Sequence, residues 1–450
     1  MASTGDPAQG GDMMGARALR TGGAVVAMAL FLLLGWVCVP LADADESAEE
    51  RLPVFGTDAG RAFPLLMEGM RGRSVFLLGD ATHGTEEYYA FRKRVTRHLI
   101  RQHGLRAVVL EAEWDGGRMV DDYIRGRLQP DLDPRQMLLE AFPYWPAWVW
   151  ANEEMVEFVL WLKDFNSRLP AEEMVHCSGM DMQFAIFSAL VALEGSWPAG
   201  SREERLYEEL RQWWARYQDY PMGYNFAYAQ GKDEGNRAAS ELLATLPAEA
   251  SEQRRRLTML AAAEEYYRVM SANQYEAWNI RSRHFTGHVA EQLAEPHGKG
   301  GVVVWAHNSH VGDMSSTDVQ NTGLVNLGRL ARERFSQDQV FILGSAGYEG
   351  TVLAAREWYE DPQEMVVPAA APGSVEAMLH SGGWENPLLY FANEEQRRQW
   401  SLELLHRGIG VAYTPEAEMP SYYLTAKIGM RYDAMVFWRR TRALRELVAP

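Results

Sequence analysis

Two short apolar runs in this chain end abruptly in side chains that can move protons. Asp80 and His83 follow the first run, and His307 and His310 follow the second. An apolar run with this ending is typical of a buried strand that delivers reactive side chains to a pocket. Three of the eleven histidines of the chain lie in these two segments. The pattern favours an enzyme that uses histidine in acid–base chemistry.

An arginine on the helix predicted after the first segment faces inward. The buried positions of this helix recur at spacings of four, three and four residues, at Tyr88, Arg92, Val95 and Leu99. Because an unpaired buried guanidinium is costly, Arg92 needs an anion. We expect that anion to be Asp80, Glu111 or an oxyanion of the substrate. A purely structural ion pair is an open alternative.

The same residue types are compatible with more than one chemistry. Together with Asp80, His83 and Glu111, the pair His307 and His310 could bind a metal ion or carry out acid–base catalysis. A His-x-x-His spacing is a weak metal signature, so the sequence leaves the choice open. No Gly-x-Ser-x-Gly elbow and no phosphate-binding fingerprint occur, which argues against a serine nucleophile and a nucleotide cofactor. The remaining interpretation is a histidine base that activates water, with no cofactor.

The elements that must position these residues are those of an α/β protein. Strand-like apolar runs alternate with stretches of helical spacing, which predicts a mostly parallel sheet flanked by helices. In such a sheet the carboxyl ends of the strands form the ligand crevice. Asp80, Glu111, Asp181 and His307 each end or follow such a run, so we expect them to converge there. The predicted strands are 74–78, 107–110, 174–178, 302–305, 340–343 and 434–437.

Composition limits the partners of the protein. With 44 Lys and Arg against 61 Asp and Glu, the net charge is −17. Such a surface disfavours nucleic acid and anionic lipid headgroups, so we expect a small-molecule substrate and no nucleic-acid partner.

The first 44 residues are predicted to be a secretory signal peptide. Arg17 and Arg20 precede an apolar run over residues 24–41, and small residues follow it. We therefore expect an exported protein, periplasmic or secreted, with an uncleaved membrane anchor as the alternative. Membrane contact is expected only through this segment. Cleavage would remove Cys38 and leave Cys177 alone, so no internal disulfide is expected.

The mature chain, 45–450, is predicted to form one domain with a helical insertion. Residues 201–293 are charged and helix-forming, and no strand-like run interrupts them. The expected form is a helical hairpin with helices over 201–217 and 248–289 and turn residues around 219–235. We expect this hairpin to roof the crevice.

Several motifs together resemble the erythromycin esterase family. The resemblance runs from about residue 55 to residue 437, which is nearly all of the mature chain. The family pattern Gly-Glu-x-x-His-Gly-Thr corresponds to residues 79–85, with Asp80 in place of the glutamate. The arginine of the next helix, the glutamate that ends the next strand, the Trp-Ala-His-Asn-x-His stretch and the closing Tyr-Asp-Ala correspond to Arg92, Glu111, Trp305 to His310, and Tyr432-Asp433-Ala434.

This resemblance implies hydrolysis of a carboxylic ester, such as a macrolactone, by water that His83 activates without a covalent intermediate. It implies that Arg92, His307 and His310 hold the carbonyl or the oxyanion, while Asp80 and Glu111 orient the imidazole and the arginine. Lipid-linked or glycan-linked esters are other possible substrates, and resistance to a macrolide antibiotic is a possible role.

Substrate contacts are expected from an aromatic segment and from one further carboxylate. Residues 142–150 are rich in aromatic rings, which bury wide faces against bulky ligands, so Trp145 and Trp148 are candidate substrate contacts. His310 and Asp181 complete this set.

Two positions depart from the family pattern. Asp80 is shorter than the glutamate of the pattern, and Arg281-Ser282-Arg283 stands where relatives tend to carry an Arg-Asp pair. A metal-dependent hydrolase that uses the same residues and a non-catalytic cell-envelope binding protein of the same fold are the alternatives.

Overall fold

The computed structural model describes residues 59–183, 185–216, 234–247, 251–270, 272–384 and 386–448. The predicted leader, 1–44, lies outside these residues, as does most of the predicted turn around 219–235. Within the described ranges, no helix combines the length and the apolar character needed to cross a bilayer.

One large sheet forms the centre of the molecule. Its strand order is β3-β2-β4-β1-β5-β10-β7, and β6 pairs with β5. The first six strands of this order run parallel, whereas β7 and β6 are antiparallel to their neighbours. This confirms the predicted fold class. The strands are β1 (Val75–Asp80), β2 (Ala107–Glu113), β3 (His176–Asp181), β4 (Val302–His307), β5 (Val340–Ala354), β6 (Gln363–Val367), β7 (Leu388–Tyr390) and β10 (Ala434–Thr441), and a small second sheet pairs β8 (Glu403–Arg407) with β9 (Tyr423–Lys427).

Helices cover both faces of the large sheet. Those before the insertion are α1 (Ala59–Met70), α2 (Glu86–Gln102), α3 (Trp114–Ile124), α4 (Pro134–Ala141), α5 (Glu153–Asn166) and α6 (Ala185–Leu193). The insertion contains α7 (Arg202–Ala215), α8 (Glu234–Thr245), α9 (Ser251–Met270) and α10 (Gln274–Ala294). The remaining helices are α11 (Asn308–Val311), α12 (Leu327–Phe335), α13 (Val375–Ser381), α14 (Glu394–Gln399), α15 (Glu418–Ser421) and α16 (Ile428–Arg431).

Burial on both faces explains the continuous apolar runs. In β1, Phe76 and Leu78 pack into the core on one side of the sheet, and Val75 and Leu77 pack into the core on the other side. All four side chains are fully buried. A strand covered on both faces needs apolar residues at every position, which is why its sequence does not alternate.

The insertion is helical, as expected, but its helices differ from those of the predicted hairpin. The described part of residues 201–293 holds four helices in place of two. The long helix expected over 248–289 is divided between α9 and α10, because the side chain of Asn273 accepts a hydrogen bond from the backbone N–H of Glu276 and so caps the start of α10. The helices of the insertion share one apolar cluster with α6, to which Ala189, Leu190 and Leu193 contribute.

Candidate active site

A cavity of about 160 Å³ lies at the carboxyl ends of the central strands. The register of the sheet places Asp80 at the end of β1 opposite His307 at the end of β4, and Glu113 at the end of β2 opposite Asp181. Residues of the insertion and of the aromatic segment close the cavity. Its lining includes His83, Glu111, Glu113, Tyr144, Trp145, Trp150, Asp181, Gln183, Tyr266, Trp278, Arg281, His307, Ser309, His310 and Trp358.

His83 lies at the cavity wall and is supported from behind by an ion pair. Its Nδ1 is 3.4 Å from Oδ1 of Asp80, and Oδ2 of Asp80 is 2.7 Å from NH1 of Arg92. The guanidinium of Arg92 lies over the rings of Tyr89 and Trp305, at 4.4 and 4.9 Å from their centroids. Arg92 thus faces inward and pairs with Asp80, one of the three anions that the sequence offered.

These contacts set the protonation of the pair. Burial alone would lower the pKa of His83, but the adjacent carboxylate of Asp80 outweighs burial and raises that pKa above its ordinary value. Burial would raise the pKa of Asp80, yet Arg92 and then His83 hold it below its ordinary value. Asp80 therefore stays ionised and keeps the imidazole basic.

Two glycines of the first segment allow the close packing of this corner. A Cβ on Gly79 would lie 2.2 Å from Oδ1 of Asn308, at the start of α11. A Cβ on Gly84 would lie 1.8 Å from the backbone oxygen of Leu353, in β5. Both distances are too short for a carbon atom, so β1 can approach α11, and the turn after β1 can approach β5, only because these positions lack a side chain.

His307 faces His83 across the cavity wall, with ring centroids 5.1 Å apart. Its Nε2 lies 3.2 Å from the carbonyl oxygen of Ala81, and its Nδ1 lies 2.8 Å from Oγ of Ser309. Burial first and His83 second lower its pKa to about 4, so the ring is neutral near pH 7. Because both ring nitrogens of His307 already have hydrogen-bond partners, the ring is not free to hold an oxyanion. Its contacts fix the wall of the cavity in place.

A second group of charges surrounds Glu111. Its Oε1 lies 2.9 Å from NH2 of Arg281 and 3.1 Å from Nε2 of His310, and its Oε2 accepts a hydrogen bond of 2.8 Å from the backbone N–H of His307. Arg281 also pairs with Asp181 at 2.5 Å. Burial opposes ionisation of Glu111, but His310, His83 and Arg281 hold its pKa well below the usual range. Glu111 is therefore a carboxylate that joins β2, β4 and α10.

Of the two tryptophans of the aromatic segment that were expected to contact the substrate, one reaches the cavity and the other does not. Trp145 lines the cavity, its Nε1 donates to the backbone oxygen of Glu360 at 2.9 Å, and its ring lies 5.0 Å from that of Trp358. Trp148 is 3% exposed and packs behind Trp145. The predicted substrate contact at Trp148 is therefore wrong in position, because the short helical turn at Ala147–Val149 directs it into the core.

The structure brings together most of the residues singled out from the sequence. His83, Glu111, His307, His310, Asp181 and Trp145 line one cavity. Asp80 and Arg92 do not line it and lie behind His83, which places Arg92 away from the cavity surface where the resemblance implied an oxyanion contact. Among the described residues that line the cavity, Arg281 is the only lysine or arginine. Sequence reasoning noted Arg281 as a departure from the family and missed its place in the site.

No metal site can be assigned from the donor positions. Among the described residues, no group of three or more His, Cys, Asp and Glu side chains is arranged to hold a metal ion.

Comparison with known proteins places the chain in a family and shows structures of similar fold. The family model described as Erythromycin esterase matches residues 100–441. Among solved structures, a succinoglycan biosynthesis protein is similar with a TM-score of 0.67 at 16% identity, and the match covers 90% of this chain and 99% of that one. A Bacillus cereus protein gives 0.68 at 15%, covering 90% and 98%. The erythromycin esterase EreC, as a histidine-to-asparagine mutant in its open conformation, gives 0.60 at 13%, covering 85% and 94%. The matched family model spans most of the chain, and the protein therefore belongs to the erythromycin esterase family.

Proposed function

We propose that the protein hydrolyses a carboxylic ester with water that His83 activates. The observation that carries this proposal is the placement of His83, with Nδ1 toward the buried Asp80 carboxylate and the ring at the wall of the cavity. Nε2 has no hydrogen-bond partner among the described residues, so it is available to a water molecule. Membership of a hydrolase family supports the same assignment.

In the proposed reaction, Nε2 of His83 accepts a proton as water attacks the ester carbonyl. Asp80 stabilises the imidazolium that forms, and Arg92 keeps Asp80 ionised. The proton on His83 then passes to the leaving alkoxide as the carbon–oxygen bond breaks. No covalent enzyme intermediate is required.

Arg281 is the candidate for stabilising the oxyanion. It supplies the positive charge of the cavity wall, and Glu111 with Asp181 holds its guanidinium in place through three contacts of 2.5–3.1 Å. A fixed charge aimed at a site of developing negative charge lowers the barrier without reorganisation. This role replaces the one that the sequence motif implied for Arg92.

The cavity suits an ester with a bulky apolar part. Trp145, Trp358, Tyr144, Trp150 and Trp278 supply flat aromatic surface around the charged groups. A macrolactone, or a lipid-linked or glycan-linked ester, is the substrate class that we propose. A role in macrolide resistance follows only if the substrate is a macrolactone.

An ester panel tests the function. Purified protein is assayed against macrolactones, aryl esters and alkyl esters, beside His83→Ala and the control His98→Ala. His98 contacts Phe63 at the surface, away from the cavity. We expect loss of turnover by about 100-fold or more in His83→Ala and wild-type rates in the control. Full turnover by His83→Ala would exclude it as the base, and a ligand that binds without turnover would favour the binding-protein alternative.

We also propose export, on the strength of the leader over residues 1–44. Its basic start, apolar run and small residues before Asp45 support a cleaved signal peptide. Cell fractionation with N-terminal sequencing tests this: a mature chain beginning near Asp45 outside the cytoplasm is expected. A cytoplasmic chain with an intact N-terminus would contradict it.

A further inference from the structure

Glu113 is a second glutamate in the cavity, and nothing in the proposed reaction uses it. It ends β2 two residues after Glu111, and both glutamates line the cavity. Its Cα is paired in the sheet with that of Asp181. Glu111, Glu113 and Asp181 therefore place three carboxyl groups around one small space.

The positive charges nearby are already used. Arg281 contacts Glu111 at 2.9 Å and Asp181 at 2.5 Å. Arg256 pairs with Asp115 and with Glu252. No lysine or arginine in the described part of the chain forms an ion pair with Glu113. One guanidinium cannot offset three carboxylates around one small cavity, so one of the three must hold a proton.

We propose that Glu113 is an uncharged carboxylic acid that donates a hydrogen bond to an oxygen atom of the substrate. The inference rests on the proposed ester hydrolysis. It narrows the substrate class to uncharged esters, with an oxygen atom that accepts a hydrogen bond from Glu113. A protonated carboxyl offers one O–H donor, which the carboxylates of Glu111 and Asp181 cannot offer.

The surroundings of Glu113 support this protonation. Burial, then the charge of Asp181 and then that of Asp115 raise the pKa of Glu113 well above its ordinary value. The same region raises the pKa of Tyr144, first through burial and then through Glu113 and Asp115. The groups whose charges act on Glu113 are Asp181 on β3 and Asp115 on α3, and Tyr144 on the loop after α4 feels the charge of Glu113 in turn. Glu111, Tyr266 and Arg281 line the same cavity, and Arg256 on α9 pairs with Asp115.

The proposal predicts how hydrolysis depends on pH at the alkaline side. As pH rises through the pKa of Glu113, the carboxyl loses its proton and its donor. A third negative charge then lies near Asp181, and the substrate oxygen faces a carboxylate. Activity should therefore fall at alkaline pH because of Glu113, while it falls at acidic pH because of His83.

The test compares two replacements of Glu113. Glu113→Leu removes the donor at similar size, and we expect a fall of roughly 10- to 100-fold in kcat/KM for a neutral ester. Glu113→Gln restores an N–H donor that does not titrate, so it should recover activity to within about fivefold of wild type and remove the alkaline fall. Glu111→Gln is the matched control in the same cavity. It should remain impaired, because Glu111 acts as a charge.

A spectroscopic measurement checks protonation without any substrate. Infrared difference spectra of wild type against Glu113→Gln at pH 7 should show the C=O stretch of a protonated carboxylic acid lost in the variant. Absence of that band overturns the proposal. A Glu113→Gln variant that is as impaired as Glu113→Leu, while wild type hydrolyses an ester, also overturns it. A Glu113→Gln variant that loses activity only on cationic esters overturns it as well, because that loss would indicate a charged carboxylate that binds the cation. If wild type hydrolyses no ester, the proposed function fails, and the substrate contact of Glu113 fails with it.

Discussion

The two charged groups of the site are built in different ways. The group behind His83 consists of Asp80 and Arg92 and comes from one β-strand and the helix that follows it. The group around Glu111 joins β2, β3, α10 and α11, and so depends on Arg281 from the insertion. The first group is fixed as soon as β1 and α2 pack together, whereas the second exists only when the insertion is in place.

The partners are also shared differently. Arg92 serves one carboxylate and is itself only 2% exposed, between two aromatic rings. Arg281 serves two carboxylates and contacts His310 at 2.9 Å. Breaking the first group should therefore remove both the base and local stability, while breaking the second should change the charge of the cavity and leave the base in place.

The largest effect is expected from Asp80→Asn. Without the carboxylate, the imidazolium of His83 is no longer stabilised and the buried Arg92 has no counter-charge. We expect kcat to fall by about 1,000-fold or more and the free energy of unfolding to fall by about 3–5 kcal/mol. Steady-state kinetics and urea unfolding measure the two losses.

Asp80→Glu is the control for this change, since the family pattern has glutamate there. It keeps the charge, so most of the activity should remain. If Asp80→Asn were as active as wild type, the assignment of His83 as a base supported by Asp80 would be wrong.

A smaller loss is expected from Arg281→Ala. Glu111 and Asp181 then lack their shared guanidinium, and we expect kcat/KM to fall by roughly 10- to 1,000-fold. Arg281 helps to hold the pKa of Glu111 low, so its removal raises that pKa and the loss should be greatest at acidic pH. Arg283→Ala is the matched control, because Arg283 lies two residues away at the surface and, among the described residues, pairs with Glu276 alone. Equal losses in both variants would contradict a role for Arg281 in the cavity.

The sequence predicted the first group far better than the second. The six predicted strands all occur, since strands covered on both faces have continuous apolar runs. Helical spacing predicted that Arg92 faces inward and needs an anion, and Asp80 was one of the three anions considered. The third strand begins at His176, two residues later than predicted, because the backbone N–H and carbonyl oxygen of Val175 bond with the side chain of Asn166 and not with a neighbouring strand.

The second group could not be predicted because its geometry is not local. Arg281 lies one residue after the buried Ile280 on α10. Its place in the cavity lining becomes evident only once this helix is packed against the sheet. Trp145 and Trp148 are three residues apart in similar sequence, and only the path of the chain decides which ring reaches the cavity. The strands β6, β8 and β9 were missed because their sequences mix polar and apolar residues. Strand β7 was missed because it is only three residues long.

The acidic limb of the pH profile separates the two groups. Protonated His83 cannot accept a proton, and Asp80 raises its pKa above 6.5. We therefore expect kcat/KM to fall about tenfold per pH unit below that pKa. In Asp80→Asn the burial of His83 remains without the raising charge, so the midpoint of the residual activity should move to lower pH. A midpoint that Asp80→Asn leaves unmoved would assign the limb to another group.

The smallest effect on turnover is expected from Trp145→Ala, which changes the aromatic part of the cavity lining next to the second group. Trp145→Ala removes apolar contact with the substrate while His83, Asp80 and Arg281 stay in place, so KM should rise by roughly 3- to 30-fold with little change in kcat. Trp148→Ala is the matched comparison. Because Trp148 is buried behind the wall, its loss should lower the free energy of unfolding by about 3–5 kcal/mol and leave KM nearly unchanged. Kinetics and urea unfolding of both variants distinguish substrate contact from core packing. A KM that rises in Trp148→Ala and not in Trp145→Ala would show that Trp148, and not Trp145, contacts the substrate.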